Sequence, residues 1–447
     1  MADAAAREQW KSGAGFMLAT IGCAAGLGNI WRFSYVAGEN GGGTFLIVYV
    51  VCVLLLGLPL MLAELSVGRR AQADVVRSFG DRAYGRGWSF AGWLMAVASF
   101  VLLSYYAVVA GWAYKYFAAY LIGIPSDIEG EGFAAYFGSF VADPIEPLLW
   151  QFLVVVSTVA VIIGGVKSGI ESVNRVLMPL LGAIVVFLAA YALSLDGAGD
   201  GLAFLFRPDW SALSEPSVYL AALGQAFFSL GIGAGALLTY GSYTRPDQRL
   251  APAAMGVVGG DTLFAVIAGV AIFPAVFAFG LDPAQGPTLA FVTLPEVFDV
   301  LPGGRFFAIA FFVLLGLGAL TSAVSLLEVP CAVLMRKLHW TRRKSALVTG
   351  AGVFVLGVPS ALGFGVWRDF GLFGLGILES IDQIASSVVL PLGGLLIAAF
   401  VGWRWSHADA LRIAGIQTSA AGTLWRFLLR YVAPCLIALI LVGLAVA

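Results

Sequence analysis

The chain has 447 residues, of which 60% are hydrophobic and 11% charged, and its formal net charge at pH 7 is -1. Soluble domains carry about 25% charged residues, so this composition excludes an ordinary soluble protein and predicts a membrane protein with several spans. The near-zero charge and the lack of a basic tract with interleaved aromatic residues argue against a nucleic-acid partner.

Eleven apolar stretches are long enough to cross a hydrocarbon core of about 30 Å, which takes about 20 residues per helix. They are predicted near residues 14–37, 43–68, 88–122, 148–165, 171–194, 216–241, 250–281, 306–337, 345–363, 376–403 and 424–446. The ninth stretch is the least regular, because "VFVLGVPSALGFG" is short and interrupted. An odd number of spans places the two termini on opposite sides of the membrane.

Charge in the connections predicts the direction of insertion, since Lys and Arg favour cytoplasmic loops. Basic residues cluster between spans two and three and between spans eight and nine, whereas the connection between spans three and four holds five acidic residues and no basic one. The N-terminal stretch "MADAAAREQWKSGAG" lacks the pattern of a signal peptide, so the first span is expected to be retained. We therefore expect a cytoplasmic N-terminus and an extracytoplasmic C-terminus.

Two spans are interrupted at matching places, the first by "AAGLGN" at 24–29 and the sixth by "SLGIGAGA" at 229–236. An opened turn at bilayer depth leaves N–H and C=O groups that lipid cannot satisfy. Because the breaks are five spans apart, the second group of five enters the membrane from the opposite side, which is typical of the inverted repeats of secondary transporters. The alternative is that the glycines only allow close helix packing.

Polar side chains lie inside the predicted spans, where an acid costs roughly 2.5–3.5 kcal/mol. They are Asn29, Glu64, Ser229, Asp261, Thr321, Ser322 and Glu328. Asp261, deep in the seventh span, is interpreted as a cation ligand, with a helix–helix hydrogen bond as the alternative. Glu64 is expected to support exposed backbone N–H groups of a neighbour. The adjacent hydroxyls of Thr321 and Ser322 either bond back to their own chain or offer oxygens to sodium.

Three segments resemble the signature segments of the neurotransmitter:sodium symporters: "GCAAGLGNIWRFSYVAGENGGGTF", "GQAFFSLGIGAGALLTYGSY" and "ALTSAVSLLEVP". The likeness covers essentially the whole chain. It implies an all-α polytopic membrane protein with a leucine-transporter-like fold, a 5+5 inverted repeat with broken first and sixth helices, and 11 transmembrane helices. The implied organisation is a cytoplasmic segment at 1–13, a first repeat at 14–194, an extracellular connection at 195–215, a second repeat at 216–403, and a cytoplasmic connection with the eleventh helix at 404–447.

The resemblance implies two sodium sites. The first uses the Ala24 carbonyl, Asn29, Ser229 and Asp261, and is completed by the carboxylate of the substrate. The second uses the carbonyls of Gly22, Ala25 and Gly318 and the hydroxyls of Thr321 and Ser322. Asp261 also leads us to expect chloride-independent transport, because a fixed carboxylate can offset the sodium charge that chloride offsets in animal members.

The resemblance also implies the substrate contacts and the gates. The substrate carboxylate would meet the N–H groups of Leu27 and Gly28 and the hydroxyl of Tyr106, while its ammonium would meet the carbonyls of Ala24, Phe228 and Ser229. The side-chain pocket would be lined by Cys23, Leu102, Phe228, Gly231, Ala234, Ser322 and Leu326. Tyr106 and Phe228 would form a lid, Arg32 and Asp382 an outer gate, and Arg7 and Trp10 would belong to an inner gate.

Three departures from the family pattern refine this expectation. Gly26 stands where monoamine carriers have an Asp, so an amine without a carboxylate is a poor candidate. Gly231 and Ala234 are small and leave room for a large apolar or aromatic side chain. Arg336 stands where the acidic partner of the inner-gate Arg7 is usual, which leaves Glu328 as a candidate partner.

Together these features predict a sodium-coupled secondary active symporter of neutral, hydrophobic or aromatic L-amino acids in the bacterial inner membrane, working by alternating access. A symporter of small osmolytes such as taurine or betaine, or an amino acid sensor that does not transport, are the alternatives. An enzyme is disfavoured, because the two histidines, His339 and His407, lie in predicted loops and no H-E-x-x-H helix is present. The four cysteines suggest neither a disulfide framework nor a zinc cluster.

Overall fold

The computed structural model describes residues 8–80, 87–123, 132–284, 286–372, 374–416 and 419–446. Its membrane helices, numbered in chain order, are α1a Gly13–Ala24, α1b Gly28–Glu39, α2 Gly43–Ala71, α3 Ser89–Ile122, α4 Glu146–Ile163, α5 Val166–Ala192, α6a Pro216–Leu230, α6b Ala236–Ser242, α7 Leu250–Ala278, α8 Gly304–Lys337, α9 Arg342–Leu362, α10 Ile377–Arg404 and α11 Ala420–Leu439.

Short elements connect these helices. The helical ones are Val75–Phe79, Gly132–Ala142, Ala198–Phe206, Trp210–Ser214, Gly286–Ala290, Thr293–Val300 and His407–Ala414. An antiparallel pair of two-residue strands, β1 Gly371–Leu372 and β2 Leu375–Gly376, precedes α10, with Gly371 opposite Gly376.

Within the described residues, nine helices are long and apolar enough to cross a membrane. The α1a–α1b pair adds a tenth span, bent by 48°. The break in the sixth predicted span lies between α6a, a shorter apolar helix, and α6b. The predicted spans and both predicted breaks are confirmed. The ninth span is more regular than expected, because α9 is one continuous helix, and Pro359 lies in its last turn, so any kink at the proline leaves most of the helix straight.

The two breaks have different backbone solutions. Between α1a and α1b the chain opens over residues 25–27 and then winds as a π-helix at Gly28–Arg32. Between α6a and α6b, Gly231, Gly233 and Gly235 have φ values of 63°, 87° and 78°. Only glycine adopts this left-handed region readily, so the three glycines make the second break possible.

The helices form an inner group around the two breaks and an outer group that faces lipid. The 34-residue helices α3 and α8 pack against each other through the centre, and α1a packs on α5, α7 and α8. The outer helices α4 and α5 bury only 39% and 33% of their most apolar windows. Side chains such as Phe152 and Val186 are exposed there, as expected for a surface whose solvent is lipid.

Candidate substrate and ion site

Three polar side chains from three helices meet beside the break in α1. Asn29 Nδ2 donates to the backbone oxygen of Asp261 at 2.9 Å and to its Oδ1 at 2.8 Å. Ser229 Oγ donates to Asp261 Oδ2 at 2.8 Å and lies 3.3 Å from Asn29 Oδ1. All three side chains are buried. The structure therefore brings together the three side chains predicted for the first sodium site, and we call them the polar cluster.

Tyr49 of α2 is a further neighbour of the polar cluster that the sequence analysis missed. Its hydroxyl lies 3.3 Å from Ser229 Oγ, and its ring is fully buried against Phe33 and Phe45. In the segment "FLIVYVVCVLLLG" this tyrosine stands in the middle of a span and not at a membrane interface, which could have indicated a buried polar contact. Carboxylate, amide and hydroxyl oxygens are ligands that hard cations accept, so the arrangement can hold a sodium ion chemically.

The backbone of α1 also lies against α8, where the second sodium site was predicted. Ser322 Oγ lies 3.4 Å from the Gly22 oxygen and 3.2 Å from the Cys23 oxygen. Thr321 Oγ1 donates to the Gly318 oxygen at 2.9 Å, the bond back to its own helix that was one of the two alternatives. Ala25 is buried in the adjoining break.

Gly26 is the point of closest approach between the break and α8. A Cβ atom there would lie 2.1 Å from Ser322 Oγ and 2.9 Å from the Gly318 oxygen. Such distances leave no room for any side chain. The packing at position 26 therefore fits glycine and would not admit an aspartate side chain.

A cavity of about 40 Å³ lies between the two breaks. Its walls are formed by Cys23, Ala24, Gly28, Leu102, Tyr106, Phe228, Gly231, Ala234, Ala236, Ser322, Ser325, Leu326 and Leu390. The predicted pocket residues are all in this set except Leu27 and Ser229, which lie beside it. Tyr106 accepts a hydrogen bond from the Leu27 N–H at 3.4 Å. Ala236, Ser325 and Leu390 were missed, because small or apolar residues in helices give no signal of their own.

The predicted outer-gate pair does not meet in this structure. Arg32 donates to Gln225 Oε1 at 2.9 Å, and its guanidinium carbon lies 4.6 Å from the ring centre of Phe228. Asp382 instead accepts from the hydroxyl of Tyr105 at 2.8 Å, so the two gate residues have different partners.

Gln225 connects the outer gate to the break in α1. Its Nε2 donates to the Gly28 oxygen at 2.8 Å while its Oε1 accepts from Arg32. Gln225 was not among the predicted site residues. It lies one helical turn before Ser229 in an otherwise apolar helix, and this spacing could have indicated that both face the break in α1. The bridge joins a charged group at the mouth of the cavity to the backbone that forms its wall.

At the opposite end of the cavity, the N-terminal segment is held by hydrogen bonds to α6b and the residue after it. Trp10 is buried, and its Nε1 donates to the Tyr240 oxygen at 3.0 Å while its backbone N–H donates to the Tyr243 oxygen at 3.1 Å. Arg7, the other predicted inner-gate residue, lies outside the described residues.

Glu328, the candidate partner of Arg7, is engaged by other groups. Arg342 of α9 pairs with its Oε2 at 2.7 Å, and the Tyr243 hydroxyl donates to its Oε1 at 2.5 Å. Arg342 also pairs with Glu8, so it ties the N-terminal segment to α8. Burial raises the pKa of Glu8, and Arg342 opposes that shift. Arg336 lies 3.8 Å from Asp74 and takes no part in this network.

Glu64 has the supporting role predicted for it. Its Oε1 accepts from the N–H of Gly233 at 2.7 Å, in the unwound segment of α6, and the side chain is fully buried. A backbone donor at bilayer depth needs such a partner, because lipid cannot accept its hydrogen bond. Glu64 therefore stabilises the second break without lining the cavity.

Comparison with known proteins agrees with this geometry. The sequence model described as "Sodium:neurotransmitter symporter family" matches residues 7–124 and 143–447. The chain belongs to the sodium:neurotransmitter symporter family. This confirms the resemblance stated from the signature segments, and the members of this family are transporters rather than enzymes.

The relatives span bacteria, archaea and animals. An uncharacterized sodium-dependent transporter, YhdH, of Bacillus subtilis is 37% identical over 98% of this chain and 97% of its own length. An uncharacterized sodium-dependent transporter of Methanocaldococcus jannaschii is 33% identical over 96% of this chain and 89% of its own. Sodium-dependent nutrient amino acid transporter 1 of Drosophila yakuba is 27% identical over 89% of this chain and 71% of its own.

A solved structure shares the fold over the whole chain. The crystal structure of MhsT in complex with L-phenylalanine superposes with a TM-score of 0.92 at 52% identity, covering 98% of this chain and 99% of that chain. The leucine-transporter-like fold is thereby confirmed. The chain is a multi-pass membrane protein and a sodium-dependent transporter of this family.

Proposed function

We propose that this transporter is a sodium-coupled symporter of neutral, hydrophobic or aromatic L-amino acids. One observation carries the proposal: the cavity and the polar cluster share two stretches of backbone. Gly28 and Phe228 line the cavity, and the residues that follow them, Asn29 and Ser229, belong to the polar cluster. An occupant of the cavity and a cation at the polar cluster would thus be one residue apart, which is the proximity that coupled binding requires.

The shape and chemistry of the cavity support an amino acid with a large apolar side chain. The hydroxyl of Tyr106, which accepts from the Leu27 N–H beside the cavity, lies at one part of the wall, while Leu102, Phe228 and Leu326 cover much of the rest. The neighbour MhsT was solved with L-phenylalanine, which has this chemistry.

The ion assignment follows the oxygen ligands. We assign a first sodium ion to the Ala24 carbonyl, Asn29, Ser229 and Asp261, and a second to the carbonyls of Gly22, Ala25 and Gly318 with Thr321 and Ser322. In this assignment both ions and the substrate satisfy backbone groups left open by the break in α1. Because Asp261 supplies a fixed negative charge, we expect that replacing chloride by gluconate leaves sodium-dependent uptake unchanged; a loss of uptake would contradict this role.

Alternating access in this proposal uses the two repeats, 14–194 and 216–403, with the N-terminus in the cytoplasm. Arg32 and Asp382 would close the outer side when they pair. The contacts of Trp10 with the end of α6b, together with the Arg342 network, close the inner side. The observed separation of Arg32 from Asp382 alongside these intact inner contacts is consistent with access from the outer side.

Thermal stabilisation of the detergent-purified protein tests the proposal, because a ligand that binds only the folded state raises the melting temperature. L-Phenylalanine, L-leucine, taurine and betaine are compared in sodium and then in potassium at the same ionic strength. Stabilisation by the amino acids in sodium alone is expected. Stabilisation by the osmolytes only would favour the alternative substrate class, and stabilisation that is equal in both salts would refute the sodium coupling. Binding without uptake in proteoliposomes would identify a sensor.

A further inference from the structure

A separate cleft lies where α1a and α7 begin, at the end of the bundle that holds the N-terminal segment. It is an open cleft of about 490 Å³ between the first turns of these helices and the loop 245–249. Its lining consists of Ser12, Gly13, Met17, Arg245, Asp247, Gln248, Arg249, Pro252 and Ala253. The cleft shares no residue with the substrate cavity or the polar cluster. We call it the N-terminal cleft.

The charge of the N-terminal cleft is dominated by cations without strong partners. Arg249 is exposed, and its guanidinium makes no hydrogen bond or ion pair with the described part of the chain. Arg245 has a single long pair of 3.5 Å with Asp247, whose side chain is 74% exposed. Lys11 lies beside the lining, and its side chain likewise has no partner within the described residues.

The nearest buried acid does not neutralise these cations. Glu171 accepts from Arg175 at 2.9 Å, from the Lys11 N–H at 2.6 Å and from the Ser12 hydroxyl at 2.9 Å. Its oxygens therefore already accept hydrogen bonds from the segment before α1a and from Arg175 of α5. Two arginines of the N-terminal cleft remain available to an external anion.

Two exposed methionines lie close to the cationic part, Met17 in the lining of the cleft and Met255 one turn beyond Pro252 on α7. A Cβ on Gly256 would lie 3.0 Å from Met17 Sδ, so α1a and α7 meet at this point. Met17 is 36% exposed and Met255, the residue before Gly256 on α7, is 55% exposed. Methionine is a flexible apolar side chain that adapts to irregular hydrocarbon partners. The site thus has a cationic head region and an apolar continuation.

We propose that the N-terminal cleft binds an anionic phospholipid, with its phosphate between Arg245 and Arg249 and an acyl chain along Met17 and Met255. Basic pockets between membrane helices are suited to anionic headgroups. The apolar continuation argues for a lipid rather than free phosphate, because a small anion would leave the methionines uncovered.

Such a lipid would bridge two parts of the protein that must separate if α1a moves. The N-terminus of α1a approaches the loop at Gly13, where a Cβ would lie 3.8 Å from Gln248 Nε2. A headgroup seated across this gap adds contacts to both sides only while they are close together. The bound lipid therefore stabilises the closed arrangement of the N-terminal cleft. This inference does not depend on the identity of the transported substrate.

The test uses the purified full chain in detergent, without substrate, and follows the melting temperature. Dioctanoyl phosphatidylglycerol, dioctanoyl phosphatidylcholine and inorganic phosphate are titrated separately. Only phosphatidylglycerol is expected to raise the melting temperature saturably. The R245Q/R249Q variant should raise its half-saturating concentration at least about tenfold, since each basic residue contributes measurably to anionic-lipid binding. The R343Q/R412Q variant, which removes two exposed cations at the same end of the bundle, should behave like the unmodified protein.

A second variant probes the apolar part and protects the test against misfolding of the arginine variant. M255Q changes a side chain that is exposed in the absence of lipid. It should weaken phosphatidylglycerol binding about threefold, because the polar side chain loses an apolar contact with the acyl chain that is equivalent to about one methylene group. Equal stabilisation of R245Q/R249Q and the unmodified protein would overturn the proposal. Equal stabilisation by phosphatidylcholine, or by inorganic phosphate, would also overturn it, in favour of a non-selective lipid groove or a free-anion site.

Discussion

The N29A substitution tests the polar cluster directly. It removes two hydrogen bonds, one to the backbone oxygen of Asp261 at 2.9 Å and one to its carboxylate at 2.8 Å. A hydrogen bond to a charged group contributes about 1.5–3 kcal/mol and a neutral one about 0.5–1.5 kcal/mol, so the pair contributes about 3 kcal/mol. The same change removes the Asn29 oxygen assigned to the first sodium ion.

This magnitude converts into an expected change in sodium affinity. Since each 1.4 kcal/mol is a factor of ten, a loss of about 3 kcal/mol corresponds to about 100-fold. Part of the loss falls on the stability of the protein rather than on binding. We therefore expect the half-saturating sodium concentration to rise about 10- to 100-fold for N29A, and about tenfold for S229A, which removes one bond to the carboxylate.

The assay is a sodium titration of the melting temperature at saturating L-phenylalanine, with potassium keeping the ionic strength constant. The matched control is T158A, which also deletes a buried polar group. Thr158 lies on α4 and bonds only to the Val154 oxygen of its own helix at 2.8 Å. If N29A and S229A fold and keep a half-saturating sodium concentration within twofold of T158A, the polar cluster is not the cation site.

Three further changes probe other parts of the account. G26A should lower the free energy of unfolding by about 1–3 kcal/mol through overpacking, because its Cβ would lie 2.1 Å from Ser322 Oγ. Thermal unfolding of G26A/S322A should show part of this loss recovered, and no recovery would disprove the contact. Y106F should raise the Kd for L-phenylalanine about fivefold in calorimetry through loss of one neutral hydrogen bond, and a Kd that does not change would remove the hydroxyl from the substrate site. R342Q leaves the fully buried Glu328 without its cation and should cost about 3–5 kcal/mol in unfolding experiments; R342Q/E328Q should be more stable than R342Q, and simple additivity would contradict the pair.

The membrane helices could be predicted because each depends on local properties of the sequence. Apolar length defines the spans, and glycines at 231, 233 and 235 define the second break, where the chain has positive φ values. The continuity of α9 was harder to foresee, because a proline in the last turn looks the same in sequence as one that interrupts a helix. The family fold was predicted from the signature segments, and the structural comparison confirms it.

The candidate site was predictable where a polar residue stands out against an apolar helix. Asn29, Ser229 and Asp261 are such residues, and they meet in the structure. Tyr49 and Gln225 were missed, since a single hydroxyl or amide in a helix does not reveal which neighbour it faces. Contacts of this kind depend on the relative rotation of two helices, which single-helix periodicity does not determine.

Long-range charge pairing was the least predictable part. Glu328 was considered as a partner of Arg7, whereas it pairs with Arg342, which follows it by only 14 residues across the turn between α8 and α9. Arg342 also reaches Glu8 at the other end of the sequence. A count of basic residues predicts the side of the membrane on which they lie. Which of the five basic residues between predicted spans eight and nine pairs with Glu328 depends on how α9 packs against α8.

Uptake of radiolabelled L-phenylalanine into proteoliposomes with an imposed sodium gradient measures sodium-coupled accumulation itself. We expect accumulation above the external concentration with sodium outside, collapse of that accumulation when an ionophore dissipates the gradient, and none when potassium replaces sodium. Equal uptake in sodium and potassium, or equilibration without accumulation, would contradict a sodium-coupled symporter.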